Sequence, residues 1–205
     1  LPSGQLRHVS LFISLKIHQG KHSPHLLGNN VLPGLFYPQS KGYVLENQLH
    51  IMSETDQLTG LNNRNCYEWR IGNYSELYSR SICCIYIDIN GLHELNNTKG
   101  HKAGDEMLKY IADVVKTIFG KRDTYRIGGD EYVAFVLDGK LENIEEKISE
   151  MNAQITEKGY HAAVGYEFAD KKGADINKLI VEAESKMYKD KSEYYKNHDR
   201  RTMRK

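Results

Sequence analysis

A short acidic turn is the part of the chain best suited to chemistry. Residues 126–132 read Arg-Ile-Gly-Gly-Asp-Glu-Tyr, which places Gly128 and Gly129 directly before Asp130 and Glu131. Glycines let the backbone turn tightly and let a ligand approach it closely. Adjacent carboxylates at such a turn suit a hard cation, and Mg²⁺ held by carboxylates commonly brings substrate phosphates with it. The same pattern is typical of an ordinary acidic hairpin turn, so by itself it favours neither interpretation.

A further carboxylate follows an apolar stretch. Residues 82–90 read Ile-Cys-Cys-Ile-Tyr-Ile-Asp-Ile-Asn, which has the length and composition of a buried strand. Asp88 lies near its end, shortly before Gly91. A carboxylate in this position is costly unless it is paired or binds a metal. Asp88 is therefore another candidate metal ligand, with a solvated strand terminus as the alternative.

The surrounding segments predict the elements that would position these carboxylates. Residues 125–127 and 132–137 are rich in β-branched and aromatic residues and predict a hairpin with the acidic turn at its tip. Apolar residues at helical spacing predict helices over 104–119, over 141–157 and from about Asp175, a plausible N-cap. A short helix containing Tyr67 and Trp69 and strands over 81–88 and 160–167 complete the pattern. This alternation predicts an α+β fold with helices covering a sheet.

Composition places the chain among ordinary globular proteins. Hydrophobic residues make up 40% and charged residues 27% of the 205 residues. We expect no membrane segment, because no apolar run approaches the ~20 residues of a membrane helix. The net charge of +1 gives no electrostatic reason to expect a nucleic-acid partner. The three cysteines are expected to be reduced in a cytoplasmic protein, with Cys83 and Cys84 pointing to opposite faces of their strand.

The beginning of the chain differs from the rest. All four prolines lie in the first 38 residues, and no acidic residue precedes Glu46. We predict an N-terminal extension of unknown role over 1–42, a linker helix over 43–55, and the main domain over 56–205. The apolar side of the 43–55 helix could pair two protomers or pack on its own domain, and the sequence favours neither.

Further short motifs surround the carboxylates in a fixed order. They are Asp56-Gln57-Leu58-Thr59-Gly60-Leu61-Asn62-Asn63-Arg64, Asp88-Ile89-Asn90, Asn96-Asn97, Gly100-His101, Gly104-Asp105, Gly128-Gly129-Asp130-Glu131-Tyr132, and the run from Ala183 to Lys191. From about residue 54 to 195 this ordered set resembles the GGDEF family of diguanylate cyclases. The resemblance implies a palm-like nucleotidyl cyclase fold with a central, mostly antiparallel sheet covered by helices.

The resemblance also implies a reaction: two GTP molecules condense to cyclic di-GMP and pyrophosphate, with Mg²⁺ or Mn²⁺ as cofactor. Asp88, Asp130 and Glu131 are the implied catalytic residues. The same three residues and the carbonyl of Ile89 are the implied metal ligands. Because each protomer would hold one GTP, activity implies a homodimer, and an upstream sensor domain is expected in the full-length protein.

The resemblance assigns the substrate contacts to other residues. Asn96 and Asp105 would bind guanine, whose adjacent N1–H and N2–H₂ donors suit one carboxylate. The phosphates would contact backbone N–H groups of the turn formed by Gly91, Leu92 and His93, and the side chain of Lys191. Taken alone, Asp105 is typical of a helix's first turn and Lys191 of a solvated surface. His101 would brace the nucleotide loop.

Some positions depart from the family pattern. Leu92-His93 replaces a common Phe-Lys pair, and Tyr195 replaces a second basic residue. The inhibitory Arg-x-x-Asp motif is replaced by residues 119–122, Phe-Gly-Lys-Arg, so we expect no inhibitory site there. The alternative function is a catalytically weak GTP-binding regulatory module that acts through a protein partner. A receptor for cyclic di-GMP is a third option, disfavoured by the missing inhibitory motif.

Overall fold

The computed structural model describes residues 54–197, and its elements alternate much as the sequence predicts. The predicted extension over 1–42 and nearly all of the predicted 43–55 helix lie outside the described residues. The elements are α1 (Arg64–Ile71), α2 (Tyr74–Leu77), β1 (Ile82–Asn90), α3 (Leu92–Lys99), α4 (His101–Phe119), β2 (Thr124–Arg126), β3 (Glu131–Leu137), α5 (Leu141–Glu157), β4 (His161–Ala169) and α6 (Ile176–Asn197).

The four strands form one antiparallel sheet in the order β2-β3-β1-β4. Strand β1 is central, and all nine of its residues are buried. Its register pairs Asp88 with Glu131 of β3 on one side and with Ala163 of β4 on the other. The α+β fold with a helix-covered antiparallel sheet is therefore confirmed, and β1 carries its candidate metal ligand at a buried position near its end.

Helices cover both faces of the sheet. On one face Cys83, Ile85 and Ile87 pack with buried residues of α4 and α5 such as Ile111 and Met151. On the other face Cys84 and Tyr86 pack with residues of α1, α2 and α6. The two cysteines therefore point to opposite faces, as predicted from strand periodicity. All three cysteines are free and buried.

The helix ends follow local sequence signals. The Asn63 side chain caps α1 by accepting a hydrogen bond from the Cys66 N–H at 3.0 Å. Asp175 accepts one from the Lys178 N–H at 3.1 Å, which confirms the predicted N-cap of α6. Helix α4 begins at His101 rather than at residue 104, because Gly100, with φ of 82°, ends α3 and α4 starts directly after it.

Two short helices were not predicted. Helix α3 has no buried residue, so it lacks the apolar stripe on which helix prediction depends. Helix α2 has only four residues, too few to show a period. Across residues 54–197, no helix is both long enough and apolar enough to cross a bilayer.

Candidate active site

The predicted metal ligands lie where the end of β1 meets the start of β3. Asp88 is only 3% exposed and lies opposite Glu131 in the strand register. The Ile89 N–H donates to the carbonyl of Asp130 at 2.9 Å, so the acidic turn is attached to the end of β1. The strand pairing therefore brings together Asp88, Ile89, Asp130 and Glu131, which are far apart in the chain.

Arg126 holds the acidic turn in shape. Its guanidinium donates to the Gly129 carbonyl at 2.7 Å and to Asp56 Oδ1 at 3.0 Å. Asp56 also accepts hydrogen bonds from the backbone and side chain of Thr59. Although burial alone would raise the pKa of Asp56, these hydrogen bonds and the Arg126 charge lower it. The Asp56–Arg64 motif therefore acts as a brace for the acidic turn, a role that the sequence did not reveal.

Gly128 lies close to the Glu131 side chain within the turn. A Cβ atom at this position would overlap the Glu131 carboxylate, which folds back beneath the turn. Gly129 is exposed and has open space around its Cα atom. The two signature glycines therefore have different roles: Gly128 makes room for Glu131, whereas the carbonyl of Gly129 receives Arg126.

Lys191 of α6 contacts the buried carboxylate. Its Nζ atom lies 2.7 Å from both oxygens of Asp88, with the directed hydrogen bond to Oδ2 and only the ion-pair contact to Oδ1. Burial alone would lower the pKa of Lys191, but its contacts with Asp88 and the nearby Asp130 raise it. Burial raises the pKa of Asp88 despite this cation. Lys191 is thus a charged neighbour of the carboxylates and not a freely solvated lysine.

The carboxylates form a concentration of negative charge. Burial raises the pKa of Glu131, and the charges of Asp88 and Asp130 raise it further. In the described part of the chain no group of three or more His, Cys, Asp or Glu side chains closes around a common point suited to a metal. The donors are nevertheless hard oxygens, and a divalent cation would relieve the repulsion between them. The set therefore fits Mg²⁺ or Mn²⁺ in chemistry, although its side chains would have to close around the ion.

The predicted phosphate turn follows β1 directly. Gly91 has φ of 78° and precedes the first residue of α3, so the backbone reverses there without steric strain. Its N–H donates a long hydrogen bond of 3.4 Å to the Tyr195 hydroxyl. Leu92 is half-buried, and the exposed His93 pairs with Asn97 at 2.9 Å through its Nε2 atom. Both departures from the family pattern therefore make neutral contacts within the protein.

The predicted guanine residues lie on α3 and at the start of α4. Asn96 Oδ1 is buried and has no hydrogen-bond partner among residues 54–197. A Cβ atom on Gly104 would overlap that oxygen, so only glycine leaves room for this amide. Asp105 is exposed on α4, one residue after Gly104. Because α4 begins at His101, this carboxylate lies just past the first turn of the helix and not within that turn, where the sequence predicts it. An unpaired buried acceptor beside an exposed carboxylate suits a ligand with several N–H donors.

The remaining positions singled out in the sequence lie outside the carboxylate cluster. His101 is exposed at the start of α4, and its bracing role stays a prediction. Lys121 and Arg122 are exposed, and their carbonyls accept hydrogen bonds from the Asn62 side chain at 3.0 Å. Tyr132 is buried and donates from its hydroxyl to the Leu108 carbonyl at 3.1 Å, so the fifth signature residue anchors the acidic turn to α4.

Comparison with known proteins decides the family. The family model described as "Diguanylate cyclase, GGDEF domain" matches residues 53–197. The chain belongs to the GGDEF family. Diguanylate cyclase DgcS of Shewanella oneidensis is 34% identical over 93 residues, covering 43% of this chain and 31% of that protein. Cyclic di-GMP phosphodiesterase PdeB of the same organism is 29% identical over 114 residues, covering 55% of this chain and 13% of that protein.

Solved structures agree on the GGDEF fold. The coiled coil and GGDEF domain of DgcB from Caulobacter crescentus, in complex with c-di-GMP, superimposes with a TM-score of 0.67 at 19% identity. That match covers 73% of this chain and 86% of the other. The diguanylate cyclase SiaD from Pseudomonas aeruginosa, in complex with its activator SiaC, gives a TM-score of 0.62 at 22% identity, with 76% and 64% covered. The chain spans less than a third of the length of the two Shewanella relatives.

Proposed function

We propose that this GGDEF domain is a diguanylate cyclase that condenses two GTP molecules into cyclic di-GMP and pyrophosphate. The observation that carries the proposal is the position of Asp88. This carboxylate is 3% exposed at the end of β1, faces Glu131 across the strand pair and lies beside the acidic turn. A buried carboxylate beside other carboxylates is energetically costly. A divalent cation bound with the substrate phosphates would offset this cost.

The base specificity proposed for the site is guanine. The Asp105 carboxylate would accept the paired N1–H and N2–H₂ donors, and the unpartnered Asn96 Oδ1 supplies a further acceptor. Adenine lacks this pair of adjacent donors. A site whose buried polar atoms are left unpaired by the wrong base discriminates strongly against it, so GTP is the expected substrate.

Each residue of the site has a proposed role in the reaction. When bound, Mg²⁺ or Mn²⁺ would neutralise charge on the triphosphate and favour ionisation of the attacking 3′-hydroxyl. Asp88, Asp130, Glu131 and the Ile89 carbonyl would hold the ion. Glu131, whose pKa is raised by burial and by its neighbours, is the proposed acceptor of the hydroxyl proton. The phosphates would contact the N–H groups of Gly91, Leu92 and His93, and Lys191 would turn from Asp88 to bind them.

A homodimer is part of the proposal. One site holds one GTP, and the attacking hydroxyl must come from the nucleotide of a second protomer. The relatives are longer than this chain, which supports an additional sensor domain in the full-length protein. We propose a cytoplasmic location, because the substrate is GTP and all three cysteines are free.

The decisive test is product formation. The purified chain is incubated with GTP and Mg²⁺, and cyclic di-GMP and pyrophosphate are measured by chromatography. Specific activity should rise with protein concentration until the dimer is saturated. Activity that stays constant over a wide dilution range, in a protein shown to be monomeric throughout, would contradict the two-protomer mechanism.

A regulatory GTP-binding module is the second candidate. It is favoured by the Tyr195 hydroxyl, which accepts the Gly91 N–H that should bind phosphate, and by the neutral pairing of His93 with Asn97. This function predicts GTP binding by calorimetry at a stoichiometry of about one per chain, without pyrophosphate release. Measuring binding and turnover on the same sample therefore separates the two candidates.

A further inference from the structure

A cavity lies on the opposite side of α3 from the proposed guanine residues. It has a volume of about 830 Å³ and is bounded by α3, α4, the start of β4 and the end of α6. Asp88, Asp130, Asn96, Asp105 and Lys191 do not line it. Helix α3 presents positions 94, 95 and 98 to the cavity, whereas Asn96 and Asn97 lie on its other side. The cavity therefore excludes the proposed metal and guanine residues, meets the proposed phosphate turn only at Gly91, and has a size typical of small-molecule pockets.

An incompletely bonded buried amide lines this cavity. Asn90 is 3% exposed, and its Nδ2 atom lies 2.8 Å from His161 Nδ1. Its Oδ1 atom is buried and has no hydrogen-bond partner among the described residues. With Nδ2 placed toward the ring nitrogen of His161, the free end of the amide is the acceptor Oδ1. Buried polar atoms are normally satisfied, so the second end of Asn90 indicates a missing partner.

The walls of the cavity favour an aromatic ligand. His161 stacks on Tyr194, with ring centroids 3.9 Å apart and an angle of 22° between the planes. Tyr195 packs edge-on against Tyr194 at 5.3 Å, and Leu95 and Met107 supply apolar surface. Flat apolar and aromatic walls with one or two placed polar atoms are typical of sites for planar small molecules.

Charge further narrows the class of ligand. The cavity is lined by two acidic residues, Glu94 and Glu106, and by two basic residues, Lys99 and Lys158. These charges balance, so the cavity has no electrostatic preference for a nucleotide phosphate or for a cation. A ligand without net charge fits these walls best.

We propose that this cavity is a second small-molecule site, which takes an aromatic molecule of no net charge that carries a ring N–H donor. The donor would pair with Asn90, and the ring would lie against the aromatic walls. Asn90 directly precedes Gly91, and Tyr195 both lines the cavity and accepts the Gly91 N–H. A ligand in this cavity would therefore affect the position of the phosphate turn, through the Asn90–Gly91 peptide and through the Tyr195 hydroxyl.

Indole is the probe that tests this site, with 1-methylindole as its partner lacking the N–H donor. Both are titrated into the full chain labelled with ¹⁵N, and amide shifts are followed by NMR. Indole should shift amides around residues 90, 95 and 161 and the amide of Gly91, and saturating GTPγS should not displace it. The loss of one hydrogen bond should weaken 1-methylindole by about fivefold.

Matched variants locate the binding site. Ala103→Leu fills the cavity from α4, and Thr98→Met fills it from α3, so each should weaken indole binding by about tenfold or more. Lys102→Leu places the same leucine on α4 outside the lining residues and should leave the affinity within about twofold. The proposal is overturned if indole does not bind, if GTPγS displaces it, if 1-methylindole binds equally well, or if a folded filling variant binds normally. None of these readouts depends on cyclase activity.

Discussion

The candidate site has a carboxylate end, formed by Asp88, Asp130 and Glu131, and a phosphate end, which includes Gly91, His93 and Tyr195. The two ends differ in chemistry. The carboxylate end keeps the family's residues, and each is fixed by strand pairing or by the Arg126 brace. At the phosphate end, His93 and Tyr195 replace positive charges, and both make neutral contacts within the protein. We therefore propose that the groups for metal and guanine recognition are kept, whereas fewer positive charges face the triphosphate than the family pattern implies.

Removing a charge from the carboxylate end should have the largest effect. Asp130→Asn is expected to lower cyclase turnover by about a thousandfold or more. The metal ion that would neutralise the developing charge on the phosphates loses a ligand in this variant. Turnover with GTP and Mg²⁺ is measured together with the thermal unfolding midpoint. Asp113→Asn, at an exposed ion pair on α4, is the control and should keep normal turnover. Near-normal turnover of a folded Asp130→Asn variant would disprove the metal assignment.

Crowding the guanine residues should have the next largest effect. In Gly104→Ala the new methyl group overlaps Asn96 Oδ1 and displaces the amide. We expect kcat/KM for GTP to fall by about a hundredfold, since a misplaced positioning group is costly in catalysis. Gly72→Ala, where no atom lies within 4 Å of the added Cβ, is the control. If the two variants behave alike, Asn96 does not position the base.

Restoring charge at the phosphate end should strengthen substrate binding. Tyr195→Arg frees the Gly91 N–H and adds a cation, so KM for GTP should decrease by about tenfold with a smaller change in kcat. Val181→Arg, at an exposed position about four helical turns before Tyr195, adds the same charge away from the site. An unchanged KM in Tyr195→Arg, or an equal decrease in Val181→Arg, would show that the two ends do not differ as described.

The brace between Asp56 and Arg126 should have a small effect that depends on pH. Because the folded pKa of Asp56 is lower than its ordinary value of 3.8, its contribution to stability is complete above that value. The contribution is lost as the pH falls through the folded pKa. Asp56→Asn should therefore lower the free energy of unfolding by about 1 kcal/mol at pH 7 and by less near pH 3.

Urea unfolding at several pH values measures this difference directly. The exposed Asp170 supplies the control, since Asp170→Asn removes a carboxylate that takes part in no described hydrogen bond. A destabilisation of Asp56→Asn that is the same at pH 3 and pH 7 would mean that the ionised carboxylate contributes nothing to the brace.

The elements with strong periodic signals were predicted well. Helix α5 has the predicted bounds of 141–157, and β1, β3, β4 and α6 lie within a few residues of their predicted positions. Apolar spacing specifies these elements because each presents a continuous face to the core. Helix α3 was missed for the opposite reason: none of its residues is fully buried. Its ends are set by Gly91 and Gly100, both of which have positive φ.

The sequence by itself determined which residues could bind a metal or a nucleotide, namely the carboxylates and the glycines beside them. The order of its motifs also identified a GGDEF domain. Only the tertiary structure decided which of them meet. Strand pairing set Asp88 against Glu131, and α6 brought Lys191 to Asp88 and Tyr195 to Gly91 across more than a hundred residues of sequence separation. Folding also buries the side-chain oxygens of Asn90 and Asn96, which have no hydrogen-bond partner among residues 54–197. The physical reason is that residue type fixes what a group can donate or accept, whereas burial and contact distance depend on packing between elements distant in sequence.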